Sequence, residues 1–184
     1  MDRELVRSAM AGDREAFDAL ASASIGRLYA VAALILRDPD RAADATQEAL
    51  VTAWRDLSAI RDPDRFEAWL HRVLVRCCYR EAGRERRRRL VEIHAVVEER
   101  GGPDALPALI DRDQLDRAFR RLDIEERTVI VLHHIEGFLL TEIADVLGIP
   151  LGTVKSRLHR GKRTMRAALD ADARVVPIER GRTA

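Results

Sequence analysis

The apolar residues of this chain recur at helical spacing along nearly its whole length. In DREAFDALASASIGRLYAVAALIL, near the N-terminus, the spacing keeps one face of a helix apolar. That face is expected to carry Phe17, Leu20, Ile25, Leu28, Val31 and Ile35. The alternation of apolar and polar positions that marks a half-buried strand persists nowhere. The pattern therefore predicts an all-α protein.

Two Asp-Pro-Asp turns, at residues 37–40 and 61–65, divide the first part of the chain into helices. A proline and the residue before it disfavour a continuing helix. Between the turns, RAADATQEALVTAWRDL predicts a second helix. Its small residues should lie near one another and its larger ones should reach the core: Ala45, Ala49, Thr52 and Ala53, and Leu50, Val51 and Trp54. A third long helix, FEAWLHRVLVRCCYREAGRERRRR, becomes more basic towards its end.

The composition of the sequence changes after residue 88, where Gly and Pro interrupt the helical periodicity. Residues 89–112 include Gly101, Gly102, Pro103 and Pro107 and predict a flexible linker with some local order. Helical periodicity returns in residues 113–170, and residues 171–184 have the composition of a loose tail. The chain is thus predicted to hold two small helical domains, 1–88 and 113–170, joined by the linker.

The second domain contains a pattern typical of a helix-turn-helix. Ahead of it, Leu115, Phe119 and Leu122 are expected on one face, Asp123 and Glu126 resemble a capping box, and Gly137 should end the helix. In TEIADVLGIPLGTVKSRL, Thr141 is expected to cap a short helix, small Ala144 to permit a close crossing, and Gly148 to make the turn. Pro150 suits the first turn of the next helix. The core sides should comprise Ile143, Val146 and Leu147 in the first helix, and Val154, Leu158, Gly161 and Met165 in the second.

Positive charge is concentrated locally, although the whole chain is nearly neutral. The 32 Lys and Arg residues nearly match the 31 Asp and Glu residues, so the net charge does not predict general polyanion binding. The stretch GTVKSRLHRGK, however, contains no acid. An ordinary solvated helix would interleave acidic with basic residues. Here the basic side chains repel one another, which costs stability unless an anionic partner binds them. This favours a helix that enters the major groove of DNA.

A second basic feature lies in the third helix of the first domain. Arg72, Arg76, Arg80 and Arg84 recur every fourth residue and are expected on one face, beside the apolar face of the same helix. A solvated face is the alternative, and it better fits the Arg run at 86–89 taken alone. The regular spacing favours nucleic acid. The two basic helices suggest that the protein contacts DNA at two places.

The remaining candidate chemistry is sparse. Adjacent Cys77 and Cys78 suit buried small apolar side chains better than a redox pair, and His133 and His134 lack a second cluster with metal spacing. The sequence contains no glycine-rich phosphate loop and no nucleophile with a base partner, so neither enzyme activity nor a cofactor or metal is expected. The N-terminus lacks a signal-peptide core, and even the longest apolar runs are judged far too short to cross a bilayer. These features predict a cytoplasmic protein without membrane insertion.

At these motifs the chain resembles the extracytoplasmic-function (ECF) group of bacterial RNA polymerase sigma factors, of the sigma-70 family. DATQEALVTAWRDL resembles the polymerase-binding segment of region 2, and FEAWLHRVLVRCCYRE, with Trp69-Leu70, the promoter-melting segment. The stretch from LDIEERTVIVLHH through GTVKSRLHRGK resembles region 4. The likeness extends from about Leu5 to Leu169. It implies a region 2 helical bundle and a region 4 helix-turn-helix.

The resemblance also implies partners and site residues. Region 2 would dock on the β′ clamp of core RNA polymerase through Asp44, Gln47 and Glu48, and region 4 would meet the β flap. The minus-thirty-five promoter element would be read by the second helix of the helix-turn-helix, through Thr153, Lys155, Ser156, Arg157, His159, Arg160, Lys162 and Arg163. An anti-sigma protein is expected to cover the polymerase-binding surface.

For the minus-ten element the resemblance implies strand binding by Arg72, Arg76 and Arg80. A flipped base would enter a pocket built partly by the loop at residues 57–65. The chain departs from many relatives here, because they carry Asn where Arg76 stands and Asp where Arg80 stands.

Two alternative functions stay open. One is a free-standing helix-turn-helix regulator, which needs a dimer face and leaves the first domain unexplained. The other is an enzyme that uses Cys77 and Cys78.

Overall fold

The protein folds into helices joined by short turns throughout the part of the chain that the computed structural model describes, residues 2–92 and 110–175. The prediction of an all-α fold is confirmed. The helices are α1 (Arg3–Met10), α2 (Arg14–Leu36), α3 (Pro39–Asp56), α4 (Phe66–Glu92), α5 (Ile110–Arg120), α6 (Ile124–His134), α7 (Leu140–Leu147) and α8 (Leu151–Val175), with 3-10 turns at Leu57–Ala59 and Pro63–Arg65.

Aspartate caps set the starts of several helices. Asp13 accepts the backbone N–H groups of Glu15 and Ala16 at the start of α2. Asp38 caps α3, whose first residue is Pro39, so the first Asp-Pro-Asp turn ends one helix and begins the next. Asp123 caps α6 by accepting the N–H of Glu126 at 2.7 Å, as its spacing predicted.

The first bundle comprises α1 to α4, and α3 fits into it through small residues. Its buried stripe consists of Ala42, Ala45, Ala49 and Ala53, each fully buried, together with buried Thr46. Alanine side chains let α3 lie close to α2 and α4, and they leave little room for larger neighbours. Val51 and Trp54 therefore point outwards, and the prediction that they reach the core is wrong, whereas Leu50 is half-buried against the core as predicted. Val51 is 60% exposed, and Trp54 is 42% exposed with its ring packed on Phe17.

Ile25 is a second error in the predicted core. It is 49% exposed, whereas the neighbouring buried stripe of α2 runs through Leu20, Leu28, Val31 and Ile35. The stripe follows positions spaced by three, four or eight residues, and Ile25 lies on the side of the helix away from it. In α5, Leu115 is likewise 45% exposed, while Phe119 is buried as predicted.

The second bundle comprises α5 to α8, with α8 packed against the other three helices. Gly161 permits the closest approach, because a Cβ at this position would lie 2.7 Å from the Cδ1 of Ile130 on α6. Helix α8 runs to Val175, five residues beyond the boundary at 170, so the start of the predicted tail is helical. Most of the predicted linker and the last residues lie outside the described residues.

Helix α2 is long and apolar enough to cross a membrane when judged by length and composition alone. This corrects the prediction that every apolar run is too short. Its position explains its composition: α1, α3, α4 and α6 pack around it, and Leu20, Leu28 and Ile35 are almost fully buried. The core helix of a bundle satisfies the same criteria of length and hydropathy.

Candidate nucleic-acid interface

Helices α7 and α8 form a compact helix-turn-helix. Gly148 ends α7 in the left-handed conformation, with φ of 66°, which glycine adopts without the steric cost of a Cβ. The carbonyl of Pro150 accepts the first N–H groups of α8, those of Thr153 and Val154. Thr141 does not cap α7; the helix begins at Leu140, and the Glu142 carboxylate instead accepts the N–H of Leu139 at 2.7 Å.

The buried side of α8 matches the predicted stripe. Val154 is fully buried, and Leu158 and Gly161 are buried near it. On α7, Ile143 and Val146 supply the facing apolar contacts. The orientation of α8 about its axis is thus fixed by packing, which also determines which of its side chains face solvent.

The outward side of α8 carries most of the predicted DNA-binding residues. Exposed residues are Lys155, Ser156, His159, Arg160, Lys162 and Arg163. Thr153 is half-buried, and its carbonyl accepts the Ser156 hydroxyl at 2.9 Å. Ser156, His159 and Arg163 follow one another at spacings of three and four, so they line the middle of this face. The face is cationic and free of acids.

Two arginines of α8 differ from the rest. Arg157 is half-buried near Tyr79 of α4, where burial raises the pKa of the phenol and the Arg157 charge offsets a part of that rise. Arg160 lies 3.7 Å from the Glu126 carboxylate, measured from its Nε. Both side chains are thus partly engaged with the protein, unlike Lys155 and Arg163, which form no ion pair within the described residues.

The arginines of α4 do not share one face, and this prediction is wrong. Arg72 faces α7, where its Nη2 donates to the backbone carbonyl of Asp145 at 2.5 Å. Arg80 and Arg84 instead face α3 and pair with Glu48. Arg76 is exposed. A step of four residues overshoots one helical turn by about 40°, so the row winds around the helix.

The loop predicted to build a base pocket forms two short 3-10 turns between α3 and α4. Leu57 and Ile60 point into the core. Asp62 caps the second turn by accepting the N–H of Asp64, whose carboxylate pairs with Arg3 at 3.2 Å. The loop is thus anchored on its inner side while its polar side chains stay at the surface.

The predicted polymerase-binding residues line one groove between α3 and α4. The groove has a volume of about 570 Å³ and brings Asp44, Gln47 and Glu48 together with side chains of both signs. The other residues lining it are Arg41, Val51, Glu81, Arg84, Glu85 and Arg88. The exposed Val51 thus supplies an apolar side to a polar groove.

A buried polar junction between the two bundles escaped sequence analysis. Glu136, just after α6, has a side chain that is only 4% exposed, and it accepts from His71 at 2.9 Å and from Arg27 at 2.6 Å. Arg27 also pairs with Glu67, and the His71 ring packs edge-on against Phe138. A second contact joins Arg37 to Asp116, at 2.7 Å. These partners are far apart in sequence, so no local pattern signals them.

The cysteines are buried, as predicted. Burial raises the pKa of the Cys77 thiol, and it raises that of Cys78 to about 12, so neither forms a thiolate readily near neutral pH. His133 binds the carbonyl of Phe138 through Nδ1. Burial, helped by Lys162, lowers the pKa of His134. Among the described residues, no three His, Cys, Asp or Glu side chains are grouped to hold a metal.

Known proteins match both bundles. Residues 20–88 match the family described as Sigma-70 region 2, and residues 112–165 match Sigma-70, region 4. The ECF RNA polymerase sigma factor SigM of Mycobacterium tuberculosis is 32% identical over 164 residues, covering 88% of this chain and 81% of that protein. SigW of Bacillus subtilis is 27% identical over 181 residues, covering 92% and 97%.

Two solved structures have a similar fold. CnrH, solved in complex with the cytosolic domain of CnrY, superposes with a TM-score of 0.66 at 29% identity, covering 93% of this chain and 98% of CnrH. The sigma factor RpoE, solved with the anti-sigma factor NepR from Bartonella quintana, gives 0.71 at 24% identity, covering 85% and 98%. The matches extend over both bundles rather than the helix-turn-helix alone.

Proposed function

Because this chain belongs to the ECF RNA polymerase sigma factors and directs promoter-specific transcription initiation with the core enzyme, we propose that its two bundles divide this work. Region 2, residues 1–88, binds the polymerase and opens the minus-ten element. Region 4, residues 113–170, reads the minus-thirty-five element. The observation that carries this division is the acid-free, exposed face of α8, set apart from the mixed-charge groove of α3 and α4.

Region 4 reads DNA by placing α8 in the major groove. Residues near its start, Lys155 and Ser156, are exposed and close enough to the turn to reach base edges. His159, Lys162 and Arg163 follow on the exposed surface and bind phosphates. Arg157 and Arg160 reach DNA after leaving their contacts with the protein, so we assign them a smaller share of the affinity.

Region 2 binds the polymerase β′ clamp through Asp44, Gln47 and Glu48. The exposed Val51 supports this assignment, because an apolar side chain beside polar ones is typical of a docking surface. Arg76 and Arg80 bind the opened strand, with Arg72 available once it leaves the carbonyl of Asp145. A flipped base enters a pocket built partly by the loop at residues 57–65.

We further propose that an anti-sigma protein controls this chain. We also propose that this chain acts in the cytoplasm and performs no covalent chemistry itself. Two solved complexes of similar proteins support the first point: RpoE with the anti-sigma factor NepR, and CnrH with the cytosolic domain of CnrY. RNA synthesis belongs to the core enzyme. A free-standing regulator is not favoured, because the known sigma factors match both bundles.

Transcription with purified core RNA polymerase tests the proposal. Adding the chain to core enzyme on genomic fragments should yield discrete run-off transcripts that start at promoters sharing two sequence elements. The core enzyme alone is the control. Absence of promoter-specific transcripts, together with tight DNA binding by the chain alone, would instead support a free-standing regulator.

The face of α8 can be tested by paired substitutions. Lys155→Ala should weaken binding of the holoenzyme to its best promoters by about 10-fold and relax discrimination at one upstream position, as expected when a base contact worth about 1–3 kcal/mol is lost. Arg163→Ala should weaken binding to all promoters alike and reduce its salt dependence, because a phosphate contact is lost. Filter binding across a set of altered upstream elements measures both effects. Equal behaviour of the two variants would contradict this orientation of α8.

A further inference from the structure

Glu48 of α3 joins two surfaces that are assigned to different partners. It lies in the groove with Asp44 and Gln47, where the polymerase is proposed to dock. Its carboxylate reaches across to α4, with Oε1 3.3 Å from Arg80 and Oε2 3.7 Å from Arg84. One of these partners, Arg80, is assigned to the promoter strand. A single carboxylate thus contacts the proposed docking groove and the proposed DNA-binding helix.

The two arginines are held on their inner sides and open on their outer sides. Arg80 also donates to the Sγ of Cys77 at 3.0 Å, and Arg84 also pairs with the nearly buried Glu81. The side chains of Arg80 and Arg84 are nevertheless 51% and 54% exposed. Glu48 therefore neutralises and orients two cations that solvent, or a nucleic acid, can reach.

The contact is weak enough to be exchanged. The side chain of Glu48 is 31% exposed, and ion pairs at partly exposed sites contribute about 0.2–1 kcal/mol. The outward residues beside it, Asp44 and Gln47, add an acid and an amide but no cation. A partner that docks on this face and presents a basic side chain therefore finds acceptors there, and of Asp44, Gln47 and Glu48 it is Glu48 that pairs with Arg80 and Arg84.

We propose that Glu48 restrains Arg80 and Arg84 in the free chain, and that a basic side chain of the docked polymerase takes over this carboxylate, which releases Arg80 for the promoter strand and leaves Arg84 paired with Glu81 alone. The inference rests on the proposed division of labour within region 2. It makes docking and strand binding cooperative, because an exchange that favours DNA binding after docking must equally favour docking after DNA binding. It also keeps the free chain from binding DNA before it has joined the polymerase.

The test compares two neutralised acids of α3. Glu48→Gln removes the restraint, whereas Asp40→Asn makes the same change in net charge at an exposed residue of the same helix that forms no ion pair with Arg80 or Arg84. Affinity of the free full-length chain for a short fluorescent single-stranded DNA is measured by anisotropy at low salt. Glu48→Gln should bind about 1.4- to 5-fold more tightly than Asp40→Asn, the range equivalent to losing such a pair. Equal affinities would overturn the proposal.

A second comparison tests release by the polymerase. With core enzyme at a concentration that saturates each variant, the difference between Glu48→Gln and Asp40→Asn should vanish, because docking has already engaged the carboxylate. A difference that persists in the holoenzyme would contradict release. The gain should also disappear when Glu48→Gln is combined with Arg80→Ala and Arg84→Ala, and a gain that survives would overturn the role of these arginines.

Failure of the inference is distinguishable from failure of the proposed function. If Arg80→Ala leaves strand binding by the holoenzyme unchanged, the assignment of Arg80 to the minus-ten strand is wrong. If Arg80→Ala weakens that binding while Glu48→Gln and Asp40→Asn behave alike in the free chain, only the restraint by Glu48 is wrong.

Discussion

Val154→Asp should unfold region 4 and abolish recognition of the minus-thirty-five element. Val154 is fully buried where α8 packs on the rest of the helix-turn-helix, and the surrounding side chains are apolar. A carboxylate there is either charged without a partner or protonated at a large cost, and it also displaces packed methyl groups. We expect a loss of more than about 4 kcal/mol in the free energy of unfolding of this module. Denaturant unfolding followed by circular dichroism measures it.

Ser156→Asp provides the matched control. It adds the same carboxylate two residues away, on the exposed face of the same helix. This variant should keep the wild-type free energy of unfolding to within about 0.5 kcal/mol. It should nevertheless protect the upstream element less in a footprinting assay, because its charge repels phosphate. The two variants together separate loss of fold from loss of contact. A Val154→Asp protein that unfolds like wild type would show that α8 is not anchored through this residue.

Local sequence chemistry predicted the helices and their turns well, because their signals lie within a few residues. Asp38 and Pro39 are adjacent, Asp123 caps a nitrogen three residues on, and Gly148 makes its turn alone. The helix-turn-helix could be placed for the same reason. Its core is a single stripe with Val154 in it, and the acid-free face follows once that stripe is buried.

The orientation of side chains on the longer helices was harder to predict. Helix α3 has apolar residues on more than one side, and only the close packing of Ala45 and Ala49 against α2 and α4 decides that Val51 and Trp54 face outwards. The arginine row of α4 failed for a geometric reason, since a four-residue repeat drifts around a helix that has 3.6 residues per turn. These errors affected the predicted site as well, because they concealed the pairing of Arg80 with Glu48.

The contact between the bundles could not be predicted from one sequence. Arg27 and Glu136 are 109 residues apart, and His71 and Glu136 are 65 apart. Each residue alone has the chemistry of an ordinary helix surface. Only the fold shows that Glu136 is buried against two donors, so its side chain links the two bundles instead of facing solvent.

Glu136→Ala should separate the two bundles without unfolding either one. Truncation leaves the buried His71 ring without its partner at Nε2 and deprives Arg27 of one carboxylate. Leaving the buried His71 ring without a partner and breaking the half-exposed Arg27 pair should cost about 1–3 kcal/mol at the junction. The apolar core continues from one bundle into the other where α6 packs on α2 and α7 on α4, so the loss should appear as more frequent opening at this contact rather than as unfolding of either bundle. Small-angle X-ray scattering of the free chain should give a larger radius of gyration, and amides at residues 135–139 should exchange faster.

Glu67→Gln is the control for this junction. It removes a charge that also pairs with Arg27, but its side chain is 40% exposed against 4% for Glu136, so we expect less than about 1 kcal/mol and no change in size. Opening also frees Arg72, because the carbonyl that it binds belongs to α7. The Glu136→Ala chain should therefore bind single-stranded DNA more tightly than Glu67→Gln does. An unchanged radius of gyration would mean that the apolar contacts, such as Phe138 against His71, hold the bundles together without the buried carboxylate.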